Sequence, residues 1–174
     1  MRSTLRNNMK KKRLSSIDSF YDTFDSPLGV LYLIFTGEAL CGIDFTKPVD
    51  LPRKSSHSAL AHKELKAYFK HGKADFTQAI SFTKGTEFDH SVWMALKEIP
   101  FGETRTYKWL AEKIGRPNAS RAVGQSLGRN PILIILPCHR IIESDGNIGG
   151  FSAGIDIKRR LLETEYYMKQ AKNG

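Results

Sequence analysis

Ile132-Leu133-Ile134-Ile135-Leu136-Pro137-Cys138-His139-Arg140 is the stretch around which the C-terminal half of this chain is organised. Five apolar residues run without interruption into a proline, and a cysteine and a histidine follow at once. Such a run folds toward a core, so it carries Cys138 to the core's rim. A thiol held there beside an imidazole suits a nucleophile, because the thiolate is the reactive form and a neighbouring base or cation generates it. The same run also accommodates a half-buried structural cysteine next to an exposed histidine, since Cys is among the most buried residue types. The rest of the chain decides between the two.

A length of 174 residues supports one large domain or two small ones, and 40% hydrophobic content with ten Phe supplies a core. No stretch approaches the length of apolar sequence that a membrane-spanning helix needs. The N-terminus is basic but has no apolar core region, so no secretory signal is expected. Cys41 and Cys138 stand in unlike contexts and do not form a disulfide framework. The expectation is an intracellular, reduced protein, cytoplasmic or, in a eukaryote, nuclear. The net charge of +9 is unevenly spread. Residues 1–17 hold six Lys/Arg and no acid; residues 18–83 hold seven basic against eight acidic groups; residues 84–174 hold fourteen against ten. The first block reads as a disordered basic tail, either solubilising or a nonspecific polyanion contact. The surplus in the last block matters more, because those charges lie on a folded unit.

Residues 18–83 read as an α/β unit. Strands are expected over 19–25, 28–36 and 39–46, with Leu31, Leu33 and Phe35 alternating against Tyr32 and Ile34, and with Ser26-Pro27-Leu28-Gly29 and Gly37-Glu38 as turns. A helix over 58–71 places Leu60, Leu65 and Phe69 inward and stops at Gly72. Residues 84–174 open with a helix that Thr86 and Asp89 cap, its inner stripe being Phe88, Val92, Ala95, Leu96 and Ile99. Two short helices follow, Thr106 to Ile114 and Ala119 to Leu127, with Arg116-Pro117-Asn118 between them and Asn118 as the second cap. They form either a helix-turn-helix or an ordinary helical hairpin. The second helix is unusually small: Ala119, Ser120, Ala122, Gly124 and Ser126, with Arg121 and Gln125 as its long groups. Reading base edges needs side chains with bidentate reach. This helix is built to lie close against DNA without choosing a sequence.

After the cysteine, Glu143 to Asn147 is a turn. Gly149-Gly150-Phe151-Ser152-Ala153-Gly154 is a small-residue loop, fit for a pocket wall or for plain surface. A helix over 156–168 puts Ile157, Leu161 and Met168 on one face, with Glu165 among them. A carboxylate on an apolar stripe is costly unless paired, and His139 is the natural partner. The pattern suggests a relay in which Glu165 orients His139 and His139 activates Cys138. Lys158 falls at a similar azimuth and is expected to snorkel outward. Cys41 reads as core and His90 as a solvated helix residue. His57, His62 and His71 lack ligand spacing, so no metal is expected.

Pro137-Cys138-His139-Arg140, preceded by Arg121-Ala122-Val123-Gly124 and Asn130-Pro131 and followed by Gly149 to Gly154, resembles the O6-alkylguanine-DNA alkyltransferases. The likeness runs from residue 86 to residue 167 and rests on four motifs in order. It implies direct reversal of DNA alkylation. A lesion base is flipped from the duplex, and a thiolate takes the alkyl group from O6 of guanine, or from O4 of thymine, in one irreversible displacement. By resemblance Cys138 accepts the alkyl group, His139 acts on it through a water, and Glu165 orients His139. Tyr107 helps turn the nucleotide out and donates a proton to the departing guanine. Arg121 fills the gap in the stack. Ala119, Ser120, Ala122 and Gly124 let the second helix enter the minor groove. Asn130 braces the helix-turn-helix against the active-site segment and, with Phe151, Ser152 and Ala153, shapes the substrate pocket, where the Ser152 hydroxyl bonds the base. Phe151 and Ala153 stand where many members carry Tyr and Gly. Some members hold zinc through N-terminal Cys and His; with Cys41 the lone cysteine there, none is expected here. The implied protein is a monomer without cofactor whose partner is double-stranded DNA. Its fold is an antiparallel sheet plus helix, then a mostly helical unit with a winged-helix-like helix-turn-helix. A sensor of alkylated DNA that does not react, and a Cys-His-Glu thiol hydrolase, are the competing readings.

Overall fold

Three antiparallel strands, β1 (Ser19–Ser26), β2 (Gly29–Thr36) and β3 (Ala39–Asp44), lie in the order β1-β2-β3. The computed structural model describes residues 19–55 and 58–174, so the basic segment 1–17 and His57 fall outside the described residues. The alternation in β2 works as its sequence implies: Leu31, Leu33 and Phe35 are buried, while Tyr32 and Ile34 are half-buried on the other face. The β1–β2 turn is closed by the Ser26 hydroxyl, which donates to Gly29 O at 2.6 Å. β3 ends at Asp44, two residues short of the expected strand.

The far edge of β3 captures the apolar run. Ile43 N donates to Pro131 O at 2.9 Å and Leu133 N donates to Ile43 O at 3.2 Å. Residues Ile132 to Leu136 are no more than 3% exposed, but they do not continue as a strand. Ile134 sits at φ +74, a left-handed conformation that costs a β-branched residue roughly 1–3 kcal/mol and persists only where packing imposes it. The chain turns there, with Leu136 N donating to Ile132 O, and is thereby aimed back toward the helical half.

Helix α1 (Ala59–His71) buries Ala61, Leu65, Tyr68 and Phe69 and ends at Gly72 with φ +56. Leu60, expected inside, is 43% exposed, because it lies one residue, about 100° of helix, off that stripe. Helix α2 (Glu87–Ala95) carries the expected capping box between Thr86 and Asp89. Val92, Leu96 and Ile99 are buried as expected, Phe88 and Ala95 only half so. Trp93, outside the expected stripe, is buried at 1%, and its indole N–H is satisfied there by donating to Ser126 O at 2.9 Å.

The two-residue strands β4 (Arg105–Thr106) and β5 (Ile141–Ile142) pair in parallel. This short ladder joins the start of helix α3 (Tyr107–Lys113) to the segment that leaves Cys138. Helix α4 (Ser120–Leu127) follows after residues 114–119. Asn118 is not its cap: Ala119 occupies that position without a side-chain hydrogen bond. Helix α5 (Ile155–Asn173) runs beyond the expected 156–168 at both ends. One buried cluster takes in Leu31, Leu33 and Leu65 from the first half and Leu110, Val123, Ile132 to Leu136 and Cys138 from the second.

Candidate active site

Cys138–Arg140 form a single 3₁₀ turn. At three residues per turn, successive side chains leave the axis about 120° apart. Cys138 therefore faces a pocket, while His139 and Arg140 point toward α5. All three are buried, at 5%, 0% and 3% exposure.

The pocket encloses about 260 Å³ and is lined by Tyr107, Gly124, Leu127, Gly128, Cys138, Gly150, Phe151 and Ser152. Asn130 and Ala153 do not line it, and Asn130 instead takes the bracing place that the resemblance implies. Asn130 lies behind the sulfur: its amide N–H₂ donates to Cys138 Sγ at 3.1 Å and to Leu136 O at 2.8 Å, and its Oδ1 accepts from Ile132 N at 3.1 Å. It fixes the turn that presents the thiol. Ala153 packs against the core instead of facing the cleft. Burial pushes the Cys138 thiol up to about 11, while the Asn130 N–H and the Lys158 ammonium pull the other way.

His139 Nε2 lies 2.7 Å from Glu165 Oε1. An ionised carboxylate only accepts, so Nε2 carries the proton and Nδ1 has the free lone pair. That Nδ1 is buried with no hydrogen-bond partner among the described residues. Burial lowers the His139 pKa below its ordinary value even though Glu165 opposes it, so the imidazole is neutral and able to take a proton. Glu165 accepts from four further donors: Tyr68 Oη–H at 2.6 Å, Gly102 N at 3.0 Å, and Arg140 Nε and Nη2 at 2.9 Å each. Burial alone would raise this carboxyl. His139 and Arg140 outweigh burial and hold it well below the usual range.

Arg140, Tyr68 and Lys158 are site residues that sequence reasoning did not assign. Arg140 Nη1 also donates to Ile99 O at 2.7 Å, which ties the cysteine turn to the end of the α2 segment. Its only signal in sequence is its place beside Cys-His. Lys158 corrects an expectation: it does not snorkel outward. It is fully buried, and Nζ donates to Ile141 O at 2.6 Å and to Gly150 O at 3.1 Å. It is a strap between the exit of the cysteine turn and the pocket loop. Its appearance on an otherwise apolar stripe was the available signal.

On the opposite wall, the Tyr107 ring lies over Gly124, where an added methyl group would sit 3.6 Å from it. Thr106 caps α3 by accepting from Trp109 N at 3.1 Å and thereby sets where Tyr107 emerges. Half-burial raises the Tyr107 phenol, and Glu143 and Cys138 add to the rise. Arg121 and Ala122 are exposed on α4, and Ala119, Ser120 and Gly124 are half-buried.

The remaining candidates lie apart from this constellation. Cys41 is a buried sheet residue whose Sγ contacts Ile34 O at 3.4 Å. His62 lies 3.3 Å from Asp22. His90 is the half-exposed helix residue expected, and in addition it stacks on Phe82 at 4.6 Å, with Nε2 2.9 Å from Lys84 O.

A family model described as the DNA-binding domain of 6-O-methylguanine DNA methyltransferase matches residues 87–167. A methylated-DNA–protein-cysteine methyltransferase of Methanosarcina barkeri is 44% identical over 153 residues, 84% of this chain and 96% of the relative. The protein of that name from Mycobacterium tuberculosis is 40% identical over 151 residues, 83% of this chain and 91% of the relative. Among solved structures, the Mycobacterium tuberculosis OGT in complex with DNA superposes with a TM-score of 0.80 at 40% identity, covering 86% of this chain and 94% of that one. The O6-methylguanine-DNA methyltransferase of Pyrococcus kodakaraensis gives 0.64 at 26% identity, covering 84% and 98%. Identity at this level, spread over nearly the full length of the relatives, establishes that the chain belongs to the methylated-DNA–protein-cysteine methyltransferase family.

Proposed function

We propose that this chain repairs DNA by moving an alkyl group from O6 of a flipped-out guanine onto Cys138, once per molecule. The observation that carries the reading is the placement of Cys138 Sγ: on the floor of a pocket, opposite Tyr107, with His139 and Glu165 behind it. O4 of alkylated thymine presents the same leaving oxygen and belongs to the same substrate class.

His139 Nδ1 receives the thiol proton through a bridging water, and Glu165 stabilises the imidazolium that forms. The sulfur attacks the alkyl carbon, an S–C bond forms and the C–O6 bond breaks. The electron pair goes to the purine, which takes the Tyr107 hydroxyl proton and leaves as neutral guanine. The resting thiol, with its pKa near 11, is largely protonated, so the nucleophile is generated when the pocket is occupied. Among the described residues, the pocket lining beside Cys138 offers a phenol and a hydroxyl, neither of which cleaves a thioether, and this makes the transfer stoichiometric.

Residues 84–174 supply both DNA contact and transfer, and residues 18–83 support them. The small face of α4 enters the minor groove, and exposed Arg121 takes the place of the extruded base. The contact is mostly to phosphates and shape, so it is independent of sequence. A monomer suffices, since every group named comes from one chain.

The decisive experiment measures intact protein mass after incubation with duplex DNA containing O6-methylguanine. One methyl per molecule is expected, mapped to Cys138, with a burst equal to the protein concentration. The Cys138→Ala variant should bind the duplex and gain nothing. Turnover beyond one equivalent would establish a hydrolase. Binding without mass gain in the unaltered protein would establish a sensor.

A further inference from the structure

Gly149 marks a point where three polar side chains converge. It adopts φ +72, and a methyl group added there would lie 2.9 Å from Tyr107 Oη, 3.4 Å from Glu143 Oε1 and 3.6 Å from Lys158 Nζ. Each side chain comes from a different element. Tyr107 opens α3, Lys158 lies on α5, and Glu143 begins the turn after β5. That turn is braced by Glu143 N donating to Asn147 O at 2.9 Å and Gly146 N donating to Glu143 O at 3.1 Å. Tyr107 and Lys158 belong to the site already described. Glu143 has no assigned part in it.

We propose that Glu143 is a positioning residue for the transfer reaction: across Gly149, its carboxylate keeps the Tyr107 hydroxyl and the Lys158 ammonium in their protonated, hydrogen-donating states at the pocket wall. The inference rests on the alkyl-transfer reading and deepens it. The proton that neutralises the departing guanine must be on Tyr107 when the C–O6 bond breaks. The ammonium that straps Ile141 O to Gly150 O needs its charge to hold that geometry. A nearby negative charge stabilises the protonated form of both. The charged and titratable groups facing Tyr107 are Glu143 on the turn and Cys138 on the 3₁₀ turn, with Lys158 across Gly149; α4 presents the uncharged Gly124 to its ring. Facing Lys158 are Cys138, Glu143 and the neutral imidazole of His139. A Cys138 thiol that is neutral at rest leaves Glu143 as the standing negative charge near both.

The sign of the effect separates this role from a structural one. Neutralising Glu143 removes an anion that favours two protonated groups, so both lose their protons at lower pH. The alkaline limb of the rate profile therefore moves toward neutral. A uniform loss of rate would mean only that the turn had loosened. Glu143 is exposed, so its field is partly screened; the expected fall at alkaline pH is about threefold at low salt and shrinks as salt is added.

The test is the second-order rate of methyl transfer to Cys138 against pH, at two ionic strengths, for the wild type, Glu143→Gln, Glu143→Asp and the control Glu163→Gln. Glu163 is an exposed carboxylate on α5 away from the pocket lining. Glu143→Gln should shift the alkaline limb to lower pH in low salt, Glu143→Asp should restore it in part, and Glu163→Gln should leave it in place. Superimposable profiles for Glu143→Gln and wild type, or a rate lowered equally at every pH, would overturn the proposal. A wild-type protein that transfers no methyl would instead sink the underlying function, so the two failures are distinguishable. Melting temperatures of the variants check that each is folded, and a folded Glu143→Gln with an unmoved limb counts against the role.

Discussion

Replacing Glu165 with glutamine changes one oxygen to an amide nitrogen and leaves the volume almost unchanged. The wild-type carboxylate accepts five hydrogen bonds: Tyr68, His139 and Arg140 Nη2 on Oε1, and Gly102 N and Arg140 Nε on Oε2. A glutamine best turns its oxygen to the side with three donors. Its amide then faces the Gly102 N–H and the Arg140 Nε–H, donor against donor. Left without acceptors, the buried Arg140 Nε–H costs about 1–3 kcal/mol and the half-buried Gly102 N–H less. Seen as a broken buried ion pair, with the Arg140 charge uncompensated, the loss is about 3–5 kcal/mol. These are two descriptions of the same loss and are not added. About 3–5 kcal/mol corresponds to a melting temperature lower by roughly 6–20 °C for a chain of this size. Thermal unfolding by circular dichroism measures it directly. Transfer, assayed well below both melting temperatures, should slow by at least about tenfold, because His139 loses the anion that stabilises its protonated form.

The same carboxylate fixes a pH dependence. Its folded pKa lies far below the ordinary 4.5, so its contribution to stability is complete above that value and is lost as pH falls from it toward the folded value. The gap in melting temperature between wild type and Glu165→Gln should therefore narrow below pH 4.5. A variant that melts within about 2 °C of wild type at neutral pH, or a gap that stays constant into acid, would refute the assignment of Glu165 as the acceptor on which this part of the fold depends.

Two further outcomes follow from the site. Arg121→Ala should slow repair of duplex DNA at least about tenfold while leaving reaction with free O6-alkylguanine nearly unchanged, because filling the vacated stack offsets only the cost of flipping; equal losses on the two substrates would remove that role. Gly149→Ala forces a left-handed conformation on a residue with a side chain, about 1–2 kcal/mol, and pushes on a Tyr107 hydroxyl 2.9 Å away. Its rate defect should vanish in a Tyr107→Phe background, and an undiminished defect there would show that the glycine acts through something other than Tyr107.

Much of the fold is local and was legible in the sequence. The strand alternation in β2, the Gly72 stop and the Thr86–Asp89 capping box each need only a few neighbouring residues, and all three are present. Leu60 and Asn118 differ from expectation for local reasons too: Leu60 lies one residue off a stripe whose Leu65 and Phe69 are buried as expected, and the capping position is taken by a residue with no side-chain bond to offer. The chemistry of the Pro-Cys-His-Arg motif was also readable, because a nucleophile and its base stand side by side in the chain. Glu165 could be inferred as a partner since a carboxylate among apolar residues demands one.

What only the tertiary structure decided is which charges are buried and what neutralises them. Lys158 on sequence alone belongs with solvent; in the fold its ammonium reaches two carbonyl oxygens, Ile141 O and Gly150 O, that no periodicity announces. Arg140 and Tyr68, at sequence distances of 25 and 97 from Glu165, meet on its carboxylate because a 3₁₀ turn and α1 both pack against α5. Asn130 sits at the back of the sulfur because the turn after Ile134 brings Leu136 O and Cys138 Sγ onto its amide. Sequence determined which groups could react, since reactivity resides in single side chains. Burial and long-range hydrogen bonds determined their protonation and aim, since both depend on which distant segments exclude water from them.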